Sequence, residues 1–264
     1  MELHTDDIRL DCAALHLARD AYADINIPHY LRILDGLAEE IACRRPGLSA
    51  TLRFRAMRDV LVRSFELRGD TGDYGNPENA YLNRVLDRRL GVPITLSAIW
   101  IEVGRRLKWP VSGIALPGHF LVRFDDRERF VLADPFAEGQ TLSADDCKRI
   151  VEDHFDEPVR FTPKMLNAVD TRTILARLLK NLRRIYLARG DWPRLARVLR
   201  RLVAVEPLAG QHLQDLACAY ARCGDVRGAY SCLRAYLRRI PNARDGDIVQ
   251  WNLNQLEAAL LARN

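Results

Sequence analysis

The sequence predicts an α+β chain in two parts: a mostly helical N-terminal domain carrying a small antiparallel sheet, then an all-α module of helix hairpins. Three observations predict it. Apolar residues recur at helical spacing through 6–67 and again through 94–103; short apolar runs between 111 and 134 are separated by turn residues; and the last third repeats itself at an offset of 34 positions. With 264 residues and 48% hydrophobic side chains, the chain can bury two cores of ordinary domain size.

In order, residues 6–67 read as three helices over about 7–21, 28–43 and 48–65, with Pro28 and Pro46 at the breaks. Gly69-Asp70-Thr71-Gly72-Asp73-Tyr74-Gly75 reads as a loop. Asn76-Pro77 then opens a helix, asparagine as cap and proline in the first turn, that runs to a stop at Gly91. From Ile94 to Val103 the chain is apolar on nearly every side. Glu102 is its one charge, so this helix is expected at the centre of the domain, with Thr95 capping its start.

The strand runs cover 111–116, 119–124 and 129–134. A hairpin folded symmetrically about Asp126 and Arg127, in the polar turn 125–128, sets Phe124 opposite Arg129, Leu121 opposite Leu132 and His119 opposite Asp134. Directly opposed residues have Cβ atoms roughly 4.5–5.5 Å apart, within reach of an imidazole–carboxylate hydrogen bond. Taken singly, His119 reads as a structural strand histidine and Asp134, before Pro135, as a turn starter. Their register with each other, behind a buried helix, makes them a candidate pair. A backbone N–H-rich helix start suits an anion or a reactive thiolate, but no cysteine stands at 91–97. No second histidine lies near enough to make His119 a metal ligand, and no cofactor motif is present, so neither metal nor cofactor is expected.

In the C-terminal third, Tyr186, Gly190, Asp191 and Pro207 recur as Tyr220, Gly224, Asp225 and Pro241. A period of 34 is that of tetratricopeptide helix hairpins, each of which hides only part of its apolar face and must stack on a neighbour. The units run near 176–209 and 210–243. Leu175, Leu178, Leu179, Leu182 and Tyr186 form the first stripe, ended by Gly190, and a last helix from Ile248 through Leu261 covers the stack. Tyr186 and Tyr220 read as packing residues, and Cys218, Cys223 and Cys232 as small buried ones.

Composition narrows the function classes. The start is polar and acidic, no stretch approaches a membrane span, and six scattered cysteines make neither a disulfide framework nor a zinc site, so a cytoplasmic protein without membrane contact is expected. The formal charge is +5. From Arg172 to Arg201 there are ten Lys or Arg against Asp191 alone. Such a run reads first as a solvated helix face and second as a surface for phosphate or an acidic partner.

Gly91-Val92-Pro93-Ile94-Thr95-Leu96-Ser97, Leu116-Pro117-Gly118-His119-Phe120-Leu121-Val122-Arg123 and Leu132-Ala133-Asp134-Pro135-Phe136 together resemble the transglutaminase-like proteins of the bacterial SirB family. The resemblance spans almost the whole chain. It implies a transglutaminase-like (papain-like) domain over 1–165, with a helical part at 6–67 and a core at 76–154, then tetratricopeptide repeats over 172–264. In active members the order is Cys, His, Asp. Here His119 matches the histidine and Asp134 the aspartate, while the cysteine position falls on Pro93. Cys147 follows the aspartate on a helix capped by Ser143 and reads as a core residue.

Three functions compete. The first is a non-catalytic scaffold, its repeats docking a protein and its residual cleft holding a peptide. The second is an amide or ester hydrolase or acyl transferase using Ser97 or Thr95 as nucleophile, His119 as base and Asp134 as orienter. The third, nucleic-acid binding through the 172–201 face, lacks interleaved aromatics and a recognised motif.

Overall fold

Helix α1 spans Leu10–Ala18, α2 Ile27–Cys43 and α3 Ala50–Arg58, the last continuing as a π-turn over Asp59–Ser64. The computed structural model describes residues 8–127, 129–154 (His154 by its backbone alone) and 159–261, so the acidic start at 1–7 and Glu128 of the expected turn lie outside the described residues. Asn26 caps α2 by accepting the His29 N–H at 3.2 Å, and Ser49 caps α3 by accepting the Leu52 N–H at 3.3 Å. The stretch read as one helix over 48–65 therefore changes its winding at Asp59.

The helix expected from Asn76 to Gly91 is shorter and broken. Pro77–Ala80 form a 3₁₀ turn and α4 covers only Leu82–Arg88, closed by Arg89 in the left-handed region. Leu90–Gly91 instead form strand β2, which pairs in parallel with β1, Arg68–Gly69. Helix α5 follows over Pro93–Arg106, with eleven of its fourteen residues buried. Its cap position is Val92 and no side chain caps it. Thr95 is thus not the cap: it lies inside the first turn, because the chain turns helical at Pro93, three residues earlier than a cap at Thr95 would have it.

Strands β3 (Val111–Ile114), β4 (Leu121–Asp125), β5 (Phe130–Asp134), β6 (Gln140–Leu142) and β7 (Ala168–Val169) form one antiparallel sheet in the order β6-β5-β4-β3-β7. Helix α6, Ala144–His154, follows β6. Two cores hold these layers. Phe54 of α3, Trp100 of α5 and Phe124 of β4 meet with ring centroids 5.8 to 6.4 Å apart. On the other side, Ile114, Leu121 and Leu132 pack with Cys147, Val151 and Leu166. A buried ionic knot ties α1 to α5, where Asp11 and Glu102 share Arg106 at 2.6 and 3.0 Å.

The chain divides into two compact units, residues 1–178 and 179–264. Helix α7, Thr171–Arg189, crosses that boundary in sequence, and the second unit continues with α8 (Trp192–Val205), α9 (Gln211–Arg222), α10 (Val226–Arg239) and α11 (Gly246–Leu261). The 34-residue offset reappears in the backbone. Asp191 and Asp225 share φ −82° and ψ 76° and each caps the next helix, while Gly190 and Gly224 precede them at φ +65° and +78°. Tyr186 is buried; Cys218 and Cys223, expected to be buried, are exposed. Cys223 closes α9 at its exposed end and Cys218 faces out from that helix, whereas Cys232 sits inside.

Candidate functional site

The loop after β3 ends in a turn at Pro117-Gly118, in which the His119 N–H reaches the Leu116 carbonyl at 3.1 Å. His119 therefore lies just before β4 and not in the ladder. The hairpin register is two residues away from the symmetric one: Val122 opposes Ala133 and Phe124 opposes Val131. An even shift keeps every side chain on its own face, so the pairing survives the change of partner. His119 Nε2 lies 2.7 Å from Asp134 Oδ2. A carboxylate accepts only, so Nε2 is the donor of this bond.

Asp134 is fixed from three directions. Its Oδ1 accepts the Phe136 N–H at 2.9 Å, its Oδ2 accepts from His119, and its backbone carbonyl accepts the Gly139 N–H at 2.8 Å. The Asx turn also places Phe136. That ring lies against Gly69, where an added Cβ would come within 2.6 Å of it, and meets Tyr74 edge-on at 5.9 Å. The stretch 69–75, read as a loop, thereby borders the pair. The pair is partly open, with side-chain exposures of 19% for His119 and 10% for Asp134.

The two hydroxyls read as nucleophile candidates are sealed. Ser97 is fully buried and donates to the Phe120 carbonyl at 3.5 Å. Thr95 is 1% exposed, and its Oγ1 has no partner among the described residues. Neither makes a hydrogen bond to His119. Cys147 is enclosed in the apolar cluster against α6, and burial pushes its thiol up to about 11, which leaves it protonated and unreactive at neutral pH.

A polar lattice supporting the α5 start escaped the sequence reading. Asp70 Oδ1 accepts the Gly72 and Asp73 N–H groups, Asp70 Oδ2 accepts from Asn79 at 2.9 Å, and Arg88 donates to Asn79 Oδ1 at 2.8 Å. The Asn79 carbonyl takes the Val92 N–H at 3.1 Å, directly before Pro93. The Asp73 N–H bond, with Asn79 and Arg88, holds the Asp70 carboxyl below its ordinary range despite partial burial. The signal was the two-residue pairing of β1 with β2, too short for periodicity to mark.

Residues 28–180 match the transglutaminase-like superfamily, and residues 182–254 match the tetratricopeptide repeat. The chain belongs to the transglutaminase-like superfamily. It is 34% identical over 255 residues to a UPF0162 protein of Xylella fastidiosa strain 9a5c, covering 95% of this chain and 91% of that one. A UPF0162 protein of Pseudomonas aeruginosa is 30% identical over 212 residues, 79% of this chain and 76% of its own. The F-box only protein 21 of Homo sapiens is 29% identical over 135 residues, 48% of this chain but 20% of that protein. No solved structure matches the chain. In this transglutaminase-like domain, then, a formed histidine–aspartate pair stands beside a helix whose first residue is a buried proline.

Proposed function

We propose that the protein is a non-catalytic, protein-binding scaffold: a transglutaminase-like domain that keeps its histidine and aspartate without a nucleophile, joined to repeats that dock a protein partner. Pro93 carries the reading. It occupies the place that the order Cys, His, Asp gives to the attacking thiol, and proline supplies neither a nucleophile nor an N–H. The inert Cys147 and the sealed Ser97 support it. Placement in the SirB branch and a cytoplasmic setting belong to the same proposal.

The partner's seat is a hollow of about 400 Å³ on α9, α10 and α11, floored by Ala217, Leu233 and Val249. Its mostly apolar lining, with Asp245 as the one charged side chain, suits a helix or extended segment that presents an apolar face. A peptide beside His119 is the matching expectation for the residual cleft. The basic 172–201 face is partly neutralised, Lys180 by Glu206 at 2.7 Å and Arg183 by Asp215 at 2.6 Å, which counts against nucleic acid.

The rival reading is the enzyme one, with the unpartnered Thr95 hydroxyl in the first turn of α5 as its nucleophile, although that hydroxyl is sealed and not bonded to His119. Treating the full chain with a fluorophosphonate probe and a panel of acyl-donor peptides separates the two. The scaffold requires no label on Ser97 or Thr95 and no turnover; labelling of either that vanishes in His119→Ala establishes a Ser/Thr-His-Asp hydrolase or acyl transferase instead. Co-purification of one protein that is lost in Cys218→Arg, while circular dichroism is unchanged, supports the docking half.

A further inference from the structure

A second hollow, of about 590 Å³, lies between α3, the β5–β6 edge and the start of α6. Neither Asp134 nor His119 lines it, and no carboxylate does. Two arginines do: Arg55 and Arg58, three apart on α3 and so on neighbouring rows of one helix face. Neither has an acidic partner among the described residues. Arg58 Nε is buried without an acceptor, its guanidinium resting over the Phe54 ring at 5.4 Å. A half-enclosed guanidinium with no counter-charge is costly, so the hollow is short of an anion. The helix end does not answer this need, because the carbonyls past Arg58 continue into the π-turn at Asp59–Ser64.

Thr51 stands one turn before Arg55 on α3 itself, and the rest of the lining adds the Thr141 hydroxyl and the first-turn N–H of Ala144, for which the described residues offer no acceptor. Asp146 stands nearby but is engaged by the Ser143 N–H and hydroxyl, at 2.8 and 2.6 Å, and by Arg149. Two forked cations, hydroxyl donors and one free amide hydrogen lining a hollow without an acid suit three oxygens on one doubly charged centre better than the two of a carboxylate.

We propose that this hollow binds a phosphomonoester, carried either by a small metabolite or by a phosphorylated side chain of a peptide. The site is independent of the histidine–aspartate pair and of the scaffold reading. The test measures thermal unfolding and calorimetric binding of the full chain with inorganic phosphate, N-acetyl phosphoserine amide, a phosphoserine peptide and its unphosphorylated form, all at one ionic strength set with chloride. Saturable stabilisation by the phosphorylated probes is expected, weakened about tenfold or more in Arg55→Gln, whose exposed side chain leaves the fold untouched, and partly restored in Arg55→Lys. Arg58→Lys, which keeps the packed stem but not the fork, is expected to weaken binding likewise, while His119→Ala leaves it unchanged. Preference for the phosphoserine peptide over the amide identifies a peptide source, and equal affinity a small-molecule one. Phosphate no better than chloride, or binding unaltered in both arginine variants, overturns the proposal.

Discussion

Asp134 is worth more to the fold than the histidine it holds. Its carboxylate joins the Phe136 N–H to His119, so Asp134→Ala removes two charge-assisted bonds and His119→Ala one. We expect Asp134→Ala to lower stability by roughly 1–3 kcal/mol and His119→Ala by less, given its partial exposure; urea titrations of both variants measure this. At the far end of α5, Asp11 is fully enclosed. Burial alone would raise its carboxyl, but hydrogen bonds from Arg9 and Arg106 hold it well below the ordinary range, whereas burial and the charge of Asp11 push Glu102 up. A depressed carboxyl binds fewer protons folded than unfolded, so its stabilisation is complete above about pH 4 and is lost as pH falls through the folded value. Asp11→Ala should therefore cost about 3–5 kcal/mol at pH 7 and progressively less below pH 4. An equal loss at pH 2 and pH 7 would refute that account. The His119–Asp134 pair was legible because parity along a strand survives a two-residue error; the burial of Ser97 and the loss of Thr95 as a cap were not, since both depend on where α5 begins.

At the scale of elements, turn residues and the repeat offset carried more of the reading than caps did, since Thr95 is not a cap and Asn76 caps only a 3₁₀ turn. Asn26, Asp191 and Asp225 cap helices at the polar residues the sequence offers. Gly190 and Gly224 hold left-handed conformations with open space around them, so an alanine at either pays only the backbone strain. Each change should cost roughly 1–2 kcal/mol. Gly36 is the contrast. It is exposed within α2, an added Cβ meets nothing within 4 Å, and Gly36→Ala should stabilise by about 1 kcal/mol. Denaturant midpoints for the three variants test the sign at each site. Pairs β1–β2 and β3–β7 were invisible beforehand, because two residues carry no period and their partners are distant in sequence.

Across the whole molecule, the six cysteines sort by enclosure. Burial pushes the thiols of Cys147 and Cys232 up to about 11, Cys12 is half-buried with its thiol raised by burial and by Asp11, and Cys43, Cys218 and Cys223 are exposed. A disulfide-exchange reagent at pH 8 should thus titrate Cys43, Cys218 and Cys223 in the native chain and reach Cys147 and Cys232 only as it unfolds. Rapid native labelling of Cys147 would contradict its place as an enclosed, unreactive thiol. Among the described residues no helix is long and apolar enough to cross a membrane. By itself the sequence determined the order of the two kinds of unit, the repeat period and the histidine–aspartate partnership, because hydropathy spacing, turn residues and strand parity are local properties. Tertiary structure alone decided which hydroxyls are sealed, which loop borders the pair, and that Arg55 and Arg58 share a hollow without an acid: enclosure depends on segments far apart in the chain.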